Sequence, residues 1–272
     1  MKRLLWLWLL LALAACTAQP SPPPSLPATP APTLLQIGVT SSASPLIPLI
    51  EANYTPQNTA VSLQFVSTNS AALLADLDNR LLDAVLLHTI PTDTKRYFNP
   101  VALDGLVVIV HPDNPLTALT SAEVQAIFNG RITNWQSLGG PDAPIVLLSR
   151  EQGSGLRTLL RQQIMAEQRI DPNALLQASD AAMRTAVSDN PAAIGYSSLG
   201  SASQTGGVKI VEVDGRSATI ATVTDQTYPL TTPLYFLAAT PAEPEGELRA
   251  LLAWLQSAEG QAVVGGVYGR IR

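Results

Sequence analysis

Between residues 34 and 87 the chain changes its period four times. "LLQIGV" (34–39) is a short apolar run, and "ASPLIPLIEANY" after it carries helical spacing. "VSLQFV" (61–66) alternates, "SAALLADLDNRLL" (70–82) is helical again, and "DAVLL" (83–87) returns to a short apolar run. Short apolar or alternating runs fit strands, and longer i, i+3, i+4 patterns fit helices. The order β-α-β-α-β leaves few folds open. Strands joined through helices pair in parallel, and the helices cover both faces of the sheet. Ser44 is expected to cap the first helix, with Pro45 at its first position.

The rest of the chain continues the alternation. "GLVVIV" (105–110) is the most apolar strand, and "HPDNPLTAL" (111–119) breaks the pattern with two prolines. Thr120 and Glu123 form a capping-box pattern opening a helix (120–130). Val124, Ile127 and Phe128 share one face, and Gly130 ends it. "PIVLLS" (144–149), "AIGYSSL" (193–199), "VKIVEV" (208–213) and "PLYFLAA" (233–239) read as strands. "DAAMRTAVSDNP" (180–191) and "GELRALLAWLQS" (246–257) read as helices, the second with Leu248, Leu251, Leu252 and Leu255 on one face. No period of 20–50 residues repeats, which argues against a solenoid. Two α/β units account for this pattern better than one continuous sheet. The expected division is lobe 1 at 34–111 and 206–272, and lobe 2 at 112–205. Each lobe is expected to be a mainly parallel sheet flanked by helices, with a ligand between them at the carboxyl ends of the strands.

The first residues are read as a leader, not as fold. Lys2 and Arg3 precede a 12-residue apolar run, Leu4 to Ala15. That is too short to span a bilayer as a helix and suits a signal peptide, here 1–15. "LALAAC" then resembles the lipobox of bacterial lipoproteins, which makes Cys16 the lipid-bearing residue. Cys16 is the single cysteine, so no intrachain disulfide can form. Residues 16–33 form a tether in which seven prolines and no charge favour extended polyproline structure. A net charge of −5 gives no bulk positive field for nucleic acid or an anionic membrane surface. Any anion site must therefore be local.

"SREQGSGLRTLL" (149–160) offers such a site. Ser154 can cap the helix that follows, whose apolar face is Leu156, Leu159, Leu160 and Ile164. Unpaired N–H donors gather at a helix start, glycines admit a close guest, and Arg150 is a planar cation suited to tetrahedral oxyanions. Taken alone, the stretch fits an anion site and an ordinary capped helix equally well. A serine nucleophile is disfavoured: the G-x-S-x-G frame fails at Gln152 and Leu156, and neither histidine is near in sequence. A Walker loop fails for want of Lys-Ser or Lys-Thr after the glycines. "GVTSSASP" (38–45) and "VSTNSAAL" (66–73) repeat the strand, hydroxyl-rich loop and helix-start arrangement. Three such junctions together favour an anion held by neutral donors. Acidic residues show no metal-ligand spacing, so no metal site is expected, and no cofactor is implied. His111 reads as a strand terminator, and Trp135 and Trp254 as packing residues.

The block "DGLVVIVHPDNPLTALTSAEVQAIFNGRITNWQSLGGPDAPIVLLSREQGSGLRTLL" resembles the signature region of phosphate-binding proteins of bacterial phosphate ABC transporters. The matching positions are Ile127-Phe128, Gly130, Ile132, Asn134-Trp135, Leu138-Gly139-Gly140, Arg150 and Gly153-Ser154-Gly155. "NPAAIGYSSLG" and "SAEGQAVVGGVYG" extend the resemblance over nearly the whole mature chain. It implies a two-lobed periplasmic-binding-protein-like fold that closes around phosphate and delivers it to a membrane permease driven by an ATPase. The chain is then a lipid-anchored extracytoplasmic monomer, with no catalytic step and no nucleic-acid partner. The resemblance maps the anion contacts to Ser42, Ser44, Ser70, Arg150, Ser154 and Gly155, with Ser41, Ala43, His88 and Leu156 as further candidates.

Two departures leave the ligand open to another oxyanion, such as molybdate, tungstate or sulfate, or to a sensory module that kept the fold. Leu156 stands where the family has threonine. In "DAVLLHTIP" the family's serine or aspartate is replaced near His88 and Thr89. His88 reads as a cleft donor or as a loop histidine, the loop reading preferred. Without an acid to accept the ligand's proton, sulfate is expected to compete with phosphate.

Overall fold

The computed structural model describes residues 31–166, 168–204 and 206–271. The expected leader, Cys16 and the tether up to residue 30 lie outside these residues. β1 (Thr33–Thr40), β2 (Val61–Thr68) and β3 (Ala84–Leu87) are separated by α1 (Leu46–Asn53) and α2 (Ser70–Asp78). β4 (Phe98–Val110) and the short β5 (Ala118–Leu119) precede α3 (Ser121–Phe128). β6 (Val146–Arg150) leads into α4 (Gly155–Leu160), β7 (Leu175–Gln177) into α5 (Asp180–Ser188), and β8 (Ala193–Ser198) into α6 (Leu199–Ala202). β9 (Lys209–Ile210), β10 (Glu212–Val213), α7 (Ile220–Thr224), β11 (Thr231–Ala238), α8 (Gly246–Gln256) and α9 (Ala258–Val264) follow.

The main sheet runs β2-β1-β3-β11-β4-β8-β6-β7, with β9 also on β4, while β5 and β10 pair separately. β1 pairs in parallel with β2 and β3, as expected for strands joined through helices. β6 likewise pairs in parallel with β7 and β8. β4 and β11 are antiparallel insertions between these two parallel groups. β4 belongs to both halves. Its first part pairs with β11, as far as Gly105 opposite Thr231. From Leu106 to Val110 it pairs with β8. The sequence showed only the second half of this strand, because Asn99, Pro100 and Asp104 interrupt the apolar run.

The apolar core divides along the same line. One cluster gathers Leu106 to Val110, Phe128, Trp135, Leu156 and Tyr196, and reaches Leu230. A second gathers Ile37, Leu46, Ile50, Ala102, Leu234 and Leu252 around β1 and α8. A smaller one lies under α2, with Leu73, Leu77 and Val85. The Thr120–Glu123 capping box is present in both directions, and Gly130 takes φ +79 just beyond α3. Trp135 is fully buried, its Nε1 donating to the Ala192 carbonyl, and Trp254 lies 5.3 Å from the Tyr54 ring.

Some local expectations change. Ser44 does not cap α1. The N-cap is Pro45, and the Ser44 hydroxyl donates back to the Ser41 carbonyl at 2.9 Å. "VKIVEV" is two strands, since Lys209–Ile210 pairs with β4 and Glu212–Val213 with β5. The helix after Ser154 ends as α-helix at Leu160 and continues as a π-turn over Arg161–Met165. Among the described residues, no helix is long and apolar enough to cross a membrane.

Candidate functional site

Parallel strands on both sides of β4 and β11 aim their carboxyl ends at one place. β1, β2 and β3 deliver the loops at 41–45, 69–70 and 88–89. β6, β7 and β8 deliver 151–154, 178–179 and the start of α6. These loops touch. The Ser198 hydroxyl donates to the Ser42 carbonyl at 2.8 Å, and the Ala71 amide to the Gly153 carbonyl at 3.0 Å. Ser41 Oγ accepts from the Asp180 amide at 3.3 Å and from Arg150 Nη2 at 3.5 Å. Six loops far apart in sequence thus close on one another.

Arg150 ends β6 and is 2 % exposed. Its Nε donates to the Gln177 carbonyl at 2.9 Å and to Glu151 Oε2 at 3.1 Å, while Nη2 reaches Glu151 and the Ala178 carbonyl. Those bonds lock the guanidinium plane, and its Nε–Nη2 edge is already paired in a fork with Glu151. Among the described residues, Arg150 Nη1 makes no hydrogen bond. Ser154 caps α4, its Oγ accepting from the Arg157 amide, and its own hydroxyl hydrogen is left to donate. The amides of Gly155 and Leu156 have no acceptor among the described residues.

Ser70 is the most telling member of the set. It is the first residue of α2 and buried, and its Oγ has no hydrogen-bond partner among the described residues. Such a group asks for a ligand or an ion. Gly155 faces it across the junction: a Cβ there would stand 2.6 Å from Ser70 Oγ and 3.3 Å from Thr89 Oγ1. The glycine is needed for close approach, not for backbone freedom. Ser42 is also buried, and Ala43 beside it is fully so. Leu156 points the other way: its side chain is in the core of the β6–β8 half, leaving only its backbone at the junction. Ser44 remains half-buried on its own carbonyl contact. Among the described residues, no three His, Cys, Asp or Glu side chains are placed to hold a metal.

His88 is no loop ornament. It is 2 % exposed, with Nδ1 3.3 Å from Ser42 Oγ and Nε2 2.9 Å from Asp104 Oδ2. Sequence reasoning kept His88 as a further candidate but preferred a loop histidine to a cleft donor. It did not find Asp104 as a partner, although one carboxylate inside an otherwise apolar strand was a signal. Asp180 was missed for another reason: β7, which delivers it, is only three residues long and partly exposed. Its carboxyl group is fully buried and accepts from Ser197 at 2.9 Å. Arg184 Nε lies 3.5 Å away, and Oδ1 has no partner among the described residues. Burial pushes the Asp180 carboxyl above the usual carboxylate range, opposed by the nearby hydroxyls of Ser201 and Ser197 and by Arg184 and Arg150.

Comparison with known proteins matches this arrangement. A model of the PBP superfamily domain matches residues 26–259. The phosphate-binding protein PstS of Borreliella burgdorferi is 23% identical over 244 residues, covering 85% of this chain and 87% of that protein. The PstS of Pseudomonas aeruginosa is 31% identical, over 61% of this chain and 57% of that protein. A crystal structure from Clostridium perfringens superposes with a TM-score of 0.80 at 26% identity, covering 88% of this chain and all of that one. It is described as a putative phosphate ABC transporter substrate-binding protein with bound phosphate.

Proposed function

Because the chain belongs to the PBP superfamily, we propose that it is a solute-binding protein that captures phosphate and presents it to an ABC transporter. The orphan hydroxyl of Ser70 facing Gly155 carries the reading. Arg150, held rigid and buried, supplies the cation. Ser42 and Ser154 add hydroxyls, and the amides of Gly155 and Leu156 add neutral donors. Ser41 serves the site indirectly, by tying Arg150 to the β1 loop. The names of relatives from B. burgdorferi and P. aeruginosa point to the same ligand.

In this reading the two lobes are the two halves of the core, and the ligand is held by loops from both. The crossings move from the expected 111–112 and 205–206 to the neighbourhood of Gly105 and Thr231. The supports are the pairing of β4 with β11 there and the extent of the β6–β8 cluster to Leu230. Opening would separate the Ser42–Ser198 and Ala71–Gly153 contacts, and closure would restore them around the ligand. The protein acts as a monomer, performs no covalent chemistry and hands its ligand to a permease driven by an ATPase. Cys16 carries a lipid that anchors it outside the cytoplasm.

A thermal-shift panel of phosphate, sulfate, molybdate and tungstate tests the ligand, since stabilisation follows occupancy. Phosphate should give the largest shift, and a flat response to all four refutes the reading. The anchor is tested separately: the full-length protein should partition into detergent, and Cys16→Ser should abolish that.

A further inference from the structure

Ser42, His88 and Asp104 form one buried chain of hydrogen bonds, and its direction is set at the Asp104 end. Asp104 Oδ1 accepts from the Gly105 amide at 2.8 Å and from the Gly200 amide at 3.1 Å. Its other oxygen, Oδ2, lies 2.9 Å from His88 Nε2. An ionised carboxylate only accepts, so the proton in that contact sits on Nε2. In the neutral ring Nδ1 is then an acceptor, and the group it faces at 3.3 Å is the Ser42 hydroxyl. Ser42 thus spends its single hydrogen on His88. Thr40 Oγ1, also 3.3 Å from Ser42 Oγ, is left to donate to it. The remaining lone pair of Ser42 can only receive a hydrogen.

We propose that Asp104 and His88 are positioning residues that turn Ser42 into a hydrogen-bond acceptor toward the ligand, selecting a proton-bearing oxyanion over a fully ionised one of equal charge. The proposal rests on the reading of this site as a phosphate site. Hydrogenphosphate and sulfate are tetrahedral dianions of similar size, and they differ in the proton. Hydrogenphosphate can donate to Ser42, whereas sulfate places an oxygen lone pair against that of Ser42. The acid that the third loop lacks is supplied one side chain deeper, from β4. The expectation that sulfate competes with phosphate is accordingly reversed.

The discriminating variant is Asp104→Asn. Its carbonyl keeps the Gly105 and Gly200 amides, while its amide donates to Nε2 and drives the ring proton to Nδ1. Ser42 then receives from His88 and must donate to the ligand. Calorimetry with inorganic phosphate and with sulfate at mildly alkaline pH reads the affinity ratio. Loss of a carboxylate near the site favours both dianions alike, so the ratio isolates the effect. The phosphate-to-sulfate ratio should fall at least about tenfold, with sulfate tightening in absolute terms, as expected for one hydrogen bond to a charged ligand reversed. Nitrogen-15 spectra of the imidazole should show Nε2–H in the wild type and Nδ1–H in the variant. An unchanged ratio in folded Asp104→Asn, or Nδ1–H in the wild type, overturns the proposal. Should Asp104→Asn not fold, Ser42→Ala decides together with the wild-type spectrum. Phosphate should weaken with sulfate unchanged or tightened, and a parallel loss of both overturns it. A wild type that binds neither anion refutes the phosphate reading itself, and the relay falls with it. A wild type that binds phosphate but fails the ratio test refutes the relay alone.

Discussion

Replacing Gly155 with alanine tests the site at its narrowest point. The new methyl would lie 2.6 Å from Ser70 Oγ, where ordinary van der Waals contact begins at 3.4 Å, so something must yield by about 0.8 Å. Two responses are open. Ser70 rotates its hydroxyl out of the junction, which removes one donor from the ligand. Alternatively the facing loops stay apart, which weakens every contact that depends on closure. The milder response costs one hydrogen bond to a charged group, roughly 1.5–3 kcal/mol, or about ten- to hundredfold in Kd. The ligand-free fold should not suffer. Gly155 does not need a positive φ, and it is the first residue of α4. There, alanine restricts the unfolded chain and stabilises by about 0.4–1 kcal/mol. Calorimetry with phosphate and thermal unfolding without it give the two readings. Weaker binding with an equal or higher Tm is expected. A Kd within twofold of the wild type refutes the claim that Gly155 and Ser70 close on the ligand together.

Arg150→Ala should weaken phosphate binding by at least tenfold if the buried guanidinium is the cation of the site, as proposed; unchanged affinity by calorimetry removes Arg150 from the contacts. Asp180→Asn should raise the Tm at neutral pH. The Asp180 carboxyl is pushed up by burial in the folded state, so the folded protein holds that proton more tightly than the unfolded chain. Stability therefore declines as pH rises from the unfolded carboxyl value of 3.8 through the folded one. The gain from Asn should shrink as pH falls toward that lower value, and a pH-independent difference in Tm contradicts the assignment.

Much of the architecture was legible because it is local. The alternation of short apolar runs with helical patterns announced parallel strands joined through helices, and β1–β2 and β6–β8 pair that way. The capping box at Thr120 lies within four residues and is present. What depends on distant partners was not legible. β4 is about twice its expected length because β11 pairs with its first half, where Asn99, Pro100 and Asp104 interrupt the apolar run, Pro233 opposite Leu103. Tertiary pairing there overrides weak strand propensity. β7 is three residues with exposed leucines, and nothing in its period marks it. Ser44 resembled an N-cap by type, but Pro45 takes that position and Ser44 turns back on Ser41.

The same division runs through the site, and it explains why the ligand's proton acceptor was hidden. Arg150, Ser154 and Gly155 sit on one loop, and Ser42 and Ser70 on loops of the same shape, so a pattern of residue types is enough to propose them. The Ser42–His88–Asp104 chain draws on three elements, the first pair 46 positions apart and the second 16. No spacing rule covers it. One physical signal was nevertheless present. A carboxylate within a strand whose neighbours Ala102 and Leu106 are fully buried must find partners or carry a large desolvation cost. Asp104 finds three: the amides of Gly105 and Gly200, and His88. A buried acid in an apolar strand is thus a prompt to look for the donor that satisfies it. Here that donor is the histidine standing where a serine or aspartate was expected.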